Sequence, residues 1–321
     1  MPKDETEEHM QYCFGIDVGG TTIKCGLFSS DGEVLDKWEI PTDRDADGVK
    51  IPGDIAASIQ LKMAEKNLTK EQLSGVGIGV PGPVLSDGTV LLCPNLGWKK
   101  LNIRTIMEQM LGVPVRVGND ANVAALGEQW KGGGRGFSDM MMVTLGTGVG
   151  GGLILNKKIV CGSNGAAAEL GHIIVNSEET DCCGCGGHGH LEQYASATGI
   201  VRMAKKKLAS EAVISTLHGY ENLTAKDIFD EAKKGDPVAL ELVDMLGKYL
   251  AMALSHVAAV VDPVAFVIGG GVSRAGSILI DAIERHYNEN LMEMLKGKVF
   301  RLAELGNDAG IFGAARMVLG E

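Results

Sequence analysis

Leu111–Glu128 reads LGVPVRVGNDANVAALGE. Val113 to Val117 holds three valines and one proline, and predicts a short buried strand. Gly118-Asn119-Asp120 breaks that run, and from Asn122 the Ala, Leu, Glu and Trp spacing predicts a helix. Asn119 and Asp120 therefore fall on a strand-to-helix turn, at the carboxyl end of a strand. Ligands of open α/β sheets bind at such ends. Asp120 is the candidate general base, taking a proton from a hydroxyl. The competing reading is a doubled helix cap, since both residues are good N-caps.

Outward from this stretch, the chain alternates strands and helices. Tyr12–Val18, Ile23–Ser29 and Val34–Ile40 predict an antiparallel meander on glycine turns. A helix follows at Asp54–Lys66, a strand at Ser74–Val80 and a helix at Ile103–Leu111. Met140–Leu145 is a strand that runs into Gly146-Thr147-Gly148, and Leu153–Leu155 with Lys158–Val160 form a hairpin. Gly162–Gly189 has no periodic signal, and loops this long are usually functional or metal-tied. Leu191–Leu208 is helical. Thr224 caps a helix with Asp227 three residues on. Asp236-Pro237 opens a helix that runs to about Val260. Val264–Ile268 and Lys298–Leu302 are strands, and Ile278–Asn288 and Ala309–Leu319 helices. A strand, a threonine-bearing glycine turn and a second strand occur twice, at Phe14–Phe28 and Met140–Leu155. Two similar α/β halves facing a cleft follow from that repeat.

Composition bounds the function. The 321 residues suffice for one or two domains with a sizeable core. Glycine makes up 45 of them, about 14% and roughly twice ordinary usage. A net charge of −11 argues against a nucleic-acid partner, which needs a basic face. Seven cysteines, three within Cys182–Cys185, fit a reduced, cytoplasmic setting with a metal loop better than a disulfide framework. The acidic opening MPKDETEEHM lacks a signal-peptide core and reads as a disordered tail over residues 1–10. No apolar run reaches the ~18 residues of a membrane span.

Gly77–Gly82 and Gly146–Gly151 both match G-x-G-x-x-G, but neither leads into a helix, as a dinucleotide site requires. Instead, side-chain-free hairpin turns expose successive N–H groups that form an anion nest. The turn Gly19-Gly20-Thr21-Thr22 and the turn Gly146-Thr147-Gly148 can hold the β- and γ-phosphates of a nucleotide. Asp17 can orient Mg²⁺ through water. Lys24 adds charge or is simply a strand-edge lysine. Gly269-Gly270-Gly271, after a buried strand, offers bare backbone to an adenine ring. Glu169 and His172 stand three apart and share a face on a helical turn; alone, they read as a solvated Glu and a core His. Cys183, Cys185 and His190 with His172 upstream make a tetrahedral Cys₂His₂ zinc site, with Cys182 and His188 as spare ligands. Such a site is structural and aims Glu169 and Glu192 inward. Glu192, which opens a helix, is otherwise a first-turn dipole partner.

Seven stretches occur in the order found in the ROK family of sugar kinases: DVGGTTIKCGLF, GIGVPGPV, PVRVGNDANVAALGE, TLGTGVGGGLIL, AAAELGH, CGCGGHGHLEQYAS and VIGGGVS. The chain resembles that family, its bacterial glucokinases most, from about Tyr12 to Leu319. The resemblance implies a duplicated two-domain hexokinase–actin-like (ribonuclease H-like) α/β fold with a cleft between domains. The expected domains are 11–118 plus about 306–321, and 119–305 with the zinc loop. It implies ATP-dependent phosphorylation of glucose at the 6-hydroxyl, a step of glycolysis, with Asp120 as base. Asn119, Glu169, His172 and Glu192 resemble the hydroxyl-binding set, and Gly82 and Asn95 touch sugar from the smaller domain. Asp17, Gly19–Thr22 and Gly146–Gly148 resemble the phosphate clamps, with Mg²⁺. The family's zinc is held by one histidine and three cysteines, in C-x-C-G-x-x-G-C; here His190 stands for the last cysteine. His172 takes both zinc and sugar roles. A homodimer or higher homo-oligomer is the family expectation. Kinases for N-acetylglucosamine, N-acetylmannosamine, mannose or fructose, a polyphosphate donor, and a non-catalytic sugar sensor are the alternatives. The family's repressors carry an added N-terminal DNA-binding domain; eleven residues before the first strand and the acidity argue against that reading.

Overall fold

The structure is a computed structural model and describes residues 11–209, 213–289 and 291–320. The tail expected over residues 1–10 lies outside the described residues. The strands are β1 (Tyr12–Val18), β2 (Thr22–Ser29), β3 (Val34–Pro41), β4 (Leu73–Val80), β5 (Thr89–Cys93), β6 (Trp98–Asn102), β7 (Val115–Asn119), β8 (Met140–Leu145), β9 (Val149–Leu155), β10 (Lys158–Ile159), β11 (Ala265–Gly269) and β12 (Val299–Leu302). The helices are α1 (Asp45–Gly48), α2 (Ile51–Glu65), α3 (Ile103–Leu111), α4 (Asp120–Lys131), α5 (Glu192–Ala195), α6 (Ala197–Leu208), α7 (Ala225–Lys233), α8 (Pro237–Val261), α9 (Ser277–Glu289) and α10 (Ala309–Leu319).

Two five-stranded sheets carry the same order: β3-β2-β1-β4-β7 and β10-β9-β8-β11-β12. In the first, β1, β2 and β3 form the expected antiparallel meander, and β4 and β7 run parallel to β1. In the second, β11 is parallel to both β8 and β12. The repeated order makes the fold a duplicated α/β architecture, as the paired glycine turns foretold. No described helix is long and apolar enough to cross a membrane.

The chain divides into two compact units. The first comprises the chain up to Gly136, Gly152–Ala167 and the chain from Asn307 on; the second comprises Phe137–Gly151 and Ala168–Gly306. The final helix belongs to the first unit, and so does α4, which follows position 118. The reason is local. A Cβ on Gly313 would lie 1.7 Å from the Val123 carbonyl oxygen, and one on Gly127 2.2 Å from that of Ala309. The backbones of α10 and α4 therefore meet with nothing between them, and α4 cannot leave this unit.

Period-two alternation along β1 sorts its two faces. Phe14, Ile16 and Val18 join the main core with Ile55 and Ile59 of α2 and Ile103 and Met107 of α3. Cys13 faces the other way, into a small cluster with Phe28, Ile311 and Ala315. Gly15 and Gly77 form a floor there, where added Cβ atoms would lie 2.1 and 1.8 Å from carbonyl oxygens of α10. The glycine excess is thus partly a helix seat.

Three details differ from the sequence reading. The β5–β6 hairpin is new; its turn is a 3-10 helix at Pro94–Leu96 closed by Gly97 at φ 78°, without the usual Asn-Gly signal. The helix expected over Leu191–Leu208 breaks at Ser196, whose backbone is extended. The Ser196 hydroxyl donates to the Glu192 carbonyl at 2.7 Å and accepts from the Gly199 N–H at 2.9 Å, ending one helix and capping the next. β7 begins after Pro114 and extends through Asn119, so Gly118 lies inside the strand.

Candidate functional site

In the first unit, Asn119 ends β7 and Asp120 opens α4. Asn119 is the N-cap: its Oδ1 accepts from the Asn122 N–H at 3.1 Å. Its Nδ2 donates to the Gly82 carbonyl at 3.1 Å and to Asp120 Oδ1 at 3.0 Å. The Ala121 N–H also donates to Asp120 Oδ1, at 2.8 Å. Two donors thus fix the Asp120 carboxylate. Both amide hydrogens of Asn119 are engaged, so only its oxygen has capacity left, as an acceptor. The cap reading and the functional reading are both satisfied by one arrangement. Gly82, at φ 93° with a Cβ path blocked 2.3 Å from the Leu92 carbonyl oxygen, is brought to this junction. Asn95 lies exposed in the Pro94–Leu96 turn. Asn122, behind Asp120 on α4, is 4% exposed, and its Oδ1 has no hydrogen-bond partner among the described residues.

The first glycine turn lies in the same unit. The Gly19 N–H donates to the Thr22 carbonyl at 3.0 Å, closing the turn between β1 and β2. Thr42, which the sequence did not single out, braces it: its hydroxyl donates to the Gly19 carbonyl at 2.8 Å and its N–H to that of Thr21 at 3.0 Å. The space over Gly20 is open. Asp17 and Lys24 are direct cross-strand partners. Lys24 Nζ donates to the Asn307 carbonyl at 3.0 Å. Burial pushes the Asp17 carboxyl up to about 6; Lys24 pulls against this and the Asp120 charge adds to it. Room for the Asp17 carboxylate comes from Gly310, where a Cβ would sit 2.5 Å from Cγ.

The second unit carries the other turn. The Gly146 N–H donates to the Gly148 carbonyl at 2.9 Å. The start of α6 braces it: the Ala197 N–H donates to the Gly146 carbonyl at 2.8 Å, and the Thr198 hydroxyl to that of Thr147 at 2.7 Å. β9 resumes at Val149, so Gly150 to Gly152 lie in the strand and the nest narrows to three residues. Two adjoining cavities, of about 640 and 390 Å³, share Ala197, Thr224 and Ala225. Thr147 lines the first; Phe229, Gly271, Val272 and Arg274 line the second. Of the three glycines after β11, Gly271 lines the cavity. Gly269 is inside the strand, and Gly270, at φ 85°, turns against the Leu145 backbone. Phe229 and Arg274 were not legible, because α7 and the turn after β11 meet only in the fold.

The Cys/His loop belongs to this unit. Ligand atoms of His172, Cys183, Cys185 and His190 all lie within 4.8 Å of one another. Cys185 Sγ is 3.2 Å from His190 Nδ1, and the two imidazoles stack edge-on with centroids 5.3 Å apart. Cys182 and His188 pair apart from them, at 3.9 Å. Two thiols and two imidazoles converging this closely fit a tetrahedral zinc ion. Glu169 precedes the 3-10 turn Leu170–His172 and is exposed. Glu192 Oε2 accepts from the Val149 N–H at 3.0 Å, and Oε1 lies 3.8 Å from Cys183 Sγ. Gly148 gives it space, since a Cβ there would meet Oε2 at 2.0 Å. Glu192 therefore ties the Cys/His loop to the glycine turn, a link its sequence position did not announce.

The ROK family model matches residues 13–321. The chain is 42% identical over 309 residues to a glucokinase of Halalkalibacterium halodurans, covering 95% of this chain and 94% of that one. A glucokinase of Thermotoga maritima is 36% identical over 310 residues, covering 95% and 96%. Among solved structures, a ROK family glucokinase from Streptomyces griseus in complex with glucose and AMPPNP is 35% identical, with a TM-score of 0.72 over 95% of this chain and 98% of that one.

Proposed function

This chain belongs to the ROK family, and from that membership we propose that it is an ATP-dependent glucokinase. It transfers the γ-phosphoryl group of ATP to the 6-hydroxyl of glucose. The observation that carries the reading is Asp120, set at the end of β7 with its carboxylate oriented by the Ala121 N–H and Asn119 Nδ2. As the 6-hydroxyl attacks phosphorus, its proton passes to Asp120. Asn119 Oδ1, Glu169, His172 and Glu192 bind and orient the sugar hydroxyls, and Gly82 and Asn95 also contact the sugar. The N–H groups of Gly19–Thr22 and Gly146–Gly148 take the charge of the phosphates. The adenosine lies in the cavities that run from Thr147 to Gly271. Asp17 would hold Mg²⁺ through water, and the ion would neutralise phosphate charge. Zinc would be held by His172, Cys183, Cys185 and His190 and would fix the loop. The reading places the enzyme in the cytoplasm, as a homodimer or higher homo-oligomer.

The test is Asp120→Asn, assayed by coupled ADP release and by glucose binding. Turnover falls on the order of 10²-fold or more while glucose still binds; near-normal turnover would sink the assignment. A sugar panel on the unaltered enzyme decides the substrate. Glucose gives the highest kcat/KM, and a higher value for N-acetylmannosamine, N-acetylglucosamine, mannose or fructose replaces it.

A further inference from the structure

A cavity of about 490 Å³ in the first unit carries a charge pattern that phosphoryl transfer does not use. Its wall holds Arg104, Arg116, Lys157, Lys158 and Arg316, and no carboxylate among the described residues. In a chain with 41 acidic and 30 basic residues, five cations around one cavity depart from the general surface. Two acids outside the wall face Arg104: Glu108 pairs with it, accepting from Arg104 Nε at 3.1 Å and from the Val115 N–H at 3.2 Å, and Asp87 accepts from the Thr89 N–H at 2.9 Å. The Arg316 guanidinium lies over the Trp130 ring, 5.4 Å from its centroid, which limits its rotamers before any ligand arrives. Between the cations lie Val117, Leu126 and Met317.

These features select a ligand chemistry. Guanidinium forks with lysines match phosphate oxygens. A bare phosphate would leave the apolar wall against water, whereas a carbon body would cover it. The volume falls in the ordinary range of small-molecule sites. We infer that this cavity binds a small organic phosphate. Val117 stands two residues before Asn119 on β7, and Leu126 is on α4, so the ligand rests against the strand–helix pair that carries Asp120. The inference is independent of the sugar kinase reading, because it concerns other residues and its assay needs no turnover.

Calorimetric titration of the full chain tests it, with glycerol 3-phosphate, phosphoenolpyruvate and inorganic phosphate as probes. Each is run with and without saturating AMPPNP, since the glycine turns also attract phosphate. The comparison protein is R116Q/K157Q, altered at two exposed positions outside the catalytic set. At least one organic phosphate should bind saturably with AMPPNP present, more tightly than inorganic phosphate. The double variant should bind it about tenfold more weakly or worse, as expected for lost charge-assisted hydrogen bonds. Absence of binding by every probe, loss of binding when AMPPNP is added, or equal affinity in R116Q/K157Q would each overturn the site. Inorganic phosphate binding as tightly as both esters would overturn the organic ligand.

Discussion

Gly313→Ala tests whether the contact between α10 and α4 holds the Asn119–Asp120 junction, which carries the proposed base, in place. The new Cβ would lie 1.7 Å from the Val123 carbonyl oxygen and 2.9 Å from the Gly127 nitrogen. Both are helix backbone, so neither can rotate aside. Reaching ordinary contact requires the helices to part by about 1.5 Å in an interior packed at crystal density. Helix propensity alone favours alanine by about 1 kcal/mol. Overpacking costs about 1–3 kcal/mol, and an unyielding backbone places this site at the upper end. The net expectation is a loss of about 2 kcal/mol. Gly53→Ala in α2 is the control: nothing lies within 4 Å of its Cβ, so propensity should act alone and raise stability by up to about 1 kcal/mol. Urea unfolding followed by tryptophan fluorescence is the assay. Trp38, Trp98 and Trp130 all lie in the first unit, and the Trp130 ring is 6.3 Å from that of Phe312 on α10. With an m-value of about 2 kcal/mol/M, the Gly313→Ala midpoint falls by about 1 M. Val123 is one turn along from Asp120, so turnover should drop as well; a 1 Å misplacement can cost about 10²-fold. A Gly313→Ala protein as stable as the parent, or a Gly53→Ala protein destabilised to the same degree, would refute the packing argument.

Asp17 gives a pH signature in the protein without Mg²⁺ or nucleotide. Its folded pKa of about 6 is above its unfolded value, so burial penalises the ionised form; the penalty is full above pH 6 and fades as pH falls toward 4. Asp17→Asn should therefore stabilise the protein at pH 8 by on the order of 3 kcal/mol and by little at pH 4, and a gain that ignores pH would contradict the assignment. For the Cys/His loop, elemental analysis should find about one zinc per chain, lost in C183S/C185S together with a lower Tm; a metal-free native protein of unchanged Tm removes zinc from the reading. Ser196→Ala removes a cap that is 0% exposed, at a cost of about 1–2 kcal/mol. Because the Ala197 N–H braces Gly146, the same change should raise the nucleotide KM more than it lowers kcat, and an unaltered KM would show that the turn does not depend on α6.

What could be read from the sequence was whatever local chemistry decides. The valine run before Asn119 and the helix after it needed no tertiary information. The two threonine-bearing glycine turns exposed the duplication, because each is flanked by the same strand pattern. Cys183, Cys185 and His190 lie within eight residues, so their convergence follows from one loop. What escaped depended on separated segments. Thr42 reaches back to Gly19 across β2 and β3, and Phe229 and Arg274 line one cavity from two elements. Glu192 could not be matched to the Val149 N–H without knowing where the loop returns. The contact of α4 with α10 was not legible either, because Gly127 and Gly313 are far apart in sequence and show no pattern of their own.

Glycine sharpens this division. At Gly15, Gly77, Gly127 and Gly313 a Cβ would strike backbone at 2.2 Å or less, so the interior itself demands glycine. At Gly20, Gly146 and Gly271 nothing lies within 4 Å, and φ is not in the left-handed region. Neither packing nor strain accounts for glycine at these three positions. Each lies on a turn after a strand, and two of those turns are braced from behind, by Thr42 and by the start of α6. Bracing fixes a backbone that no interior contact requires to be bare. Bare backbone at these turns leaves room for a ligand to approach the main chain closely, as the phosphates and the adenine ring of the proposed nucleotide would.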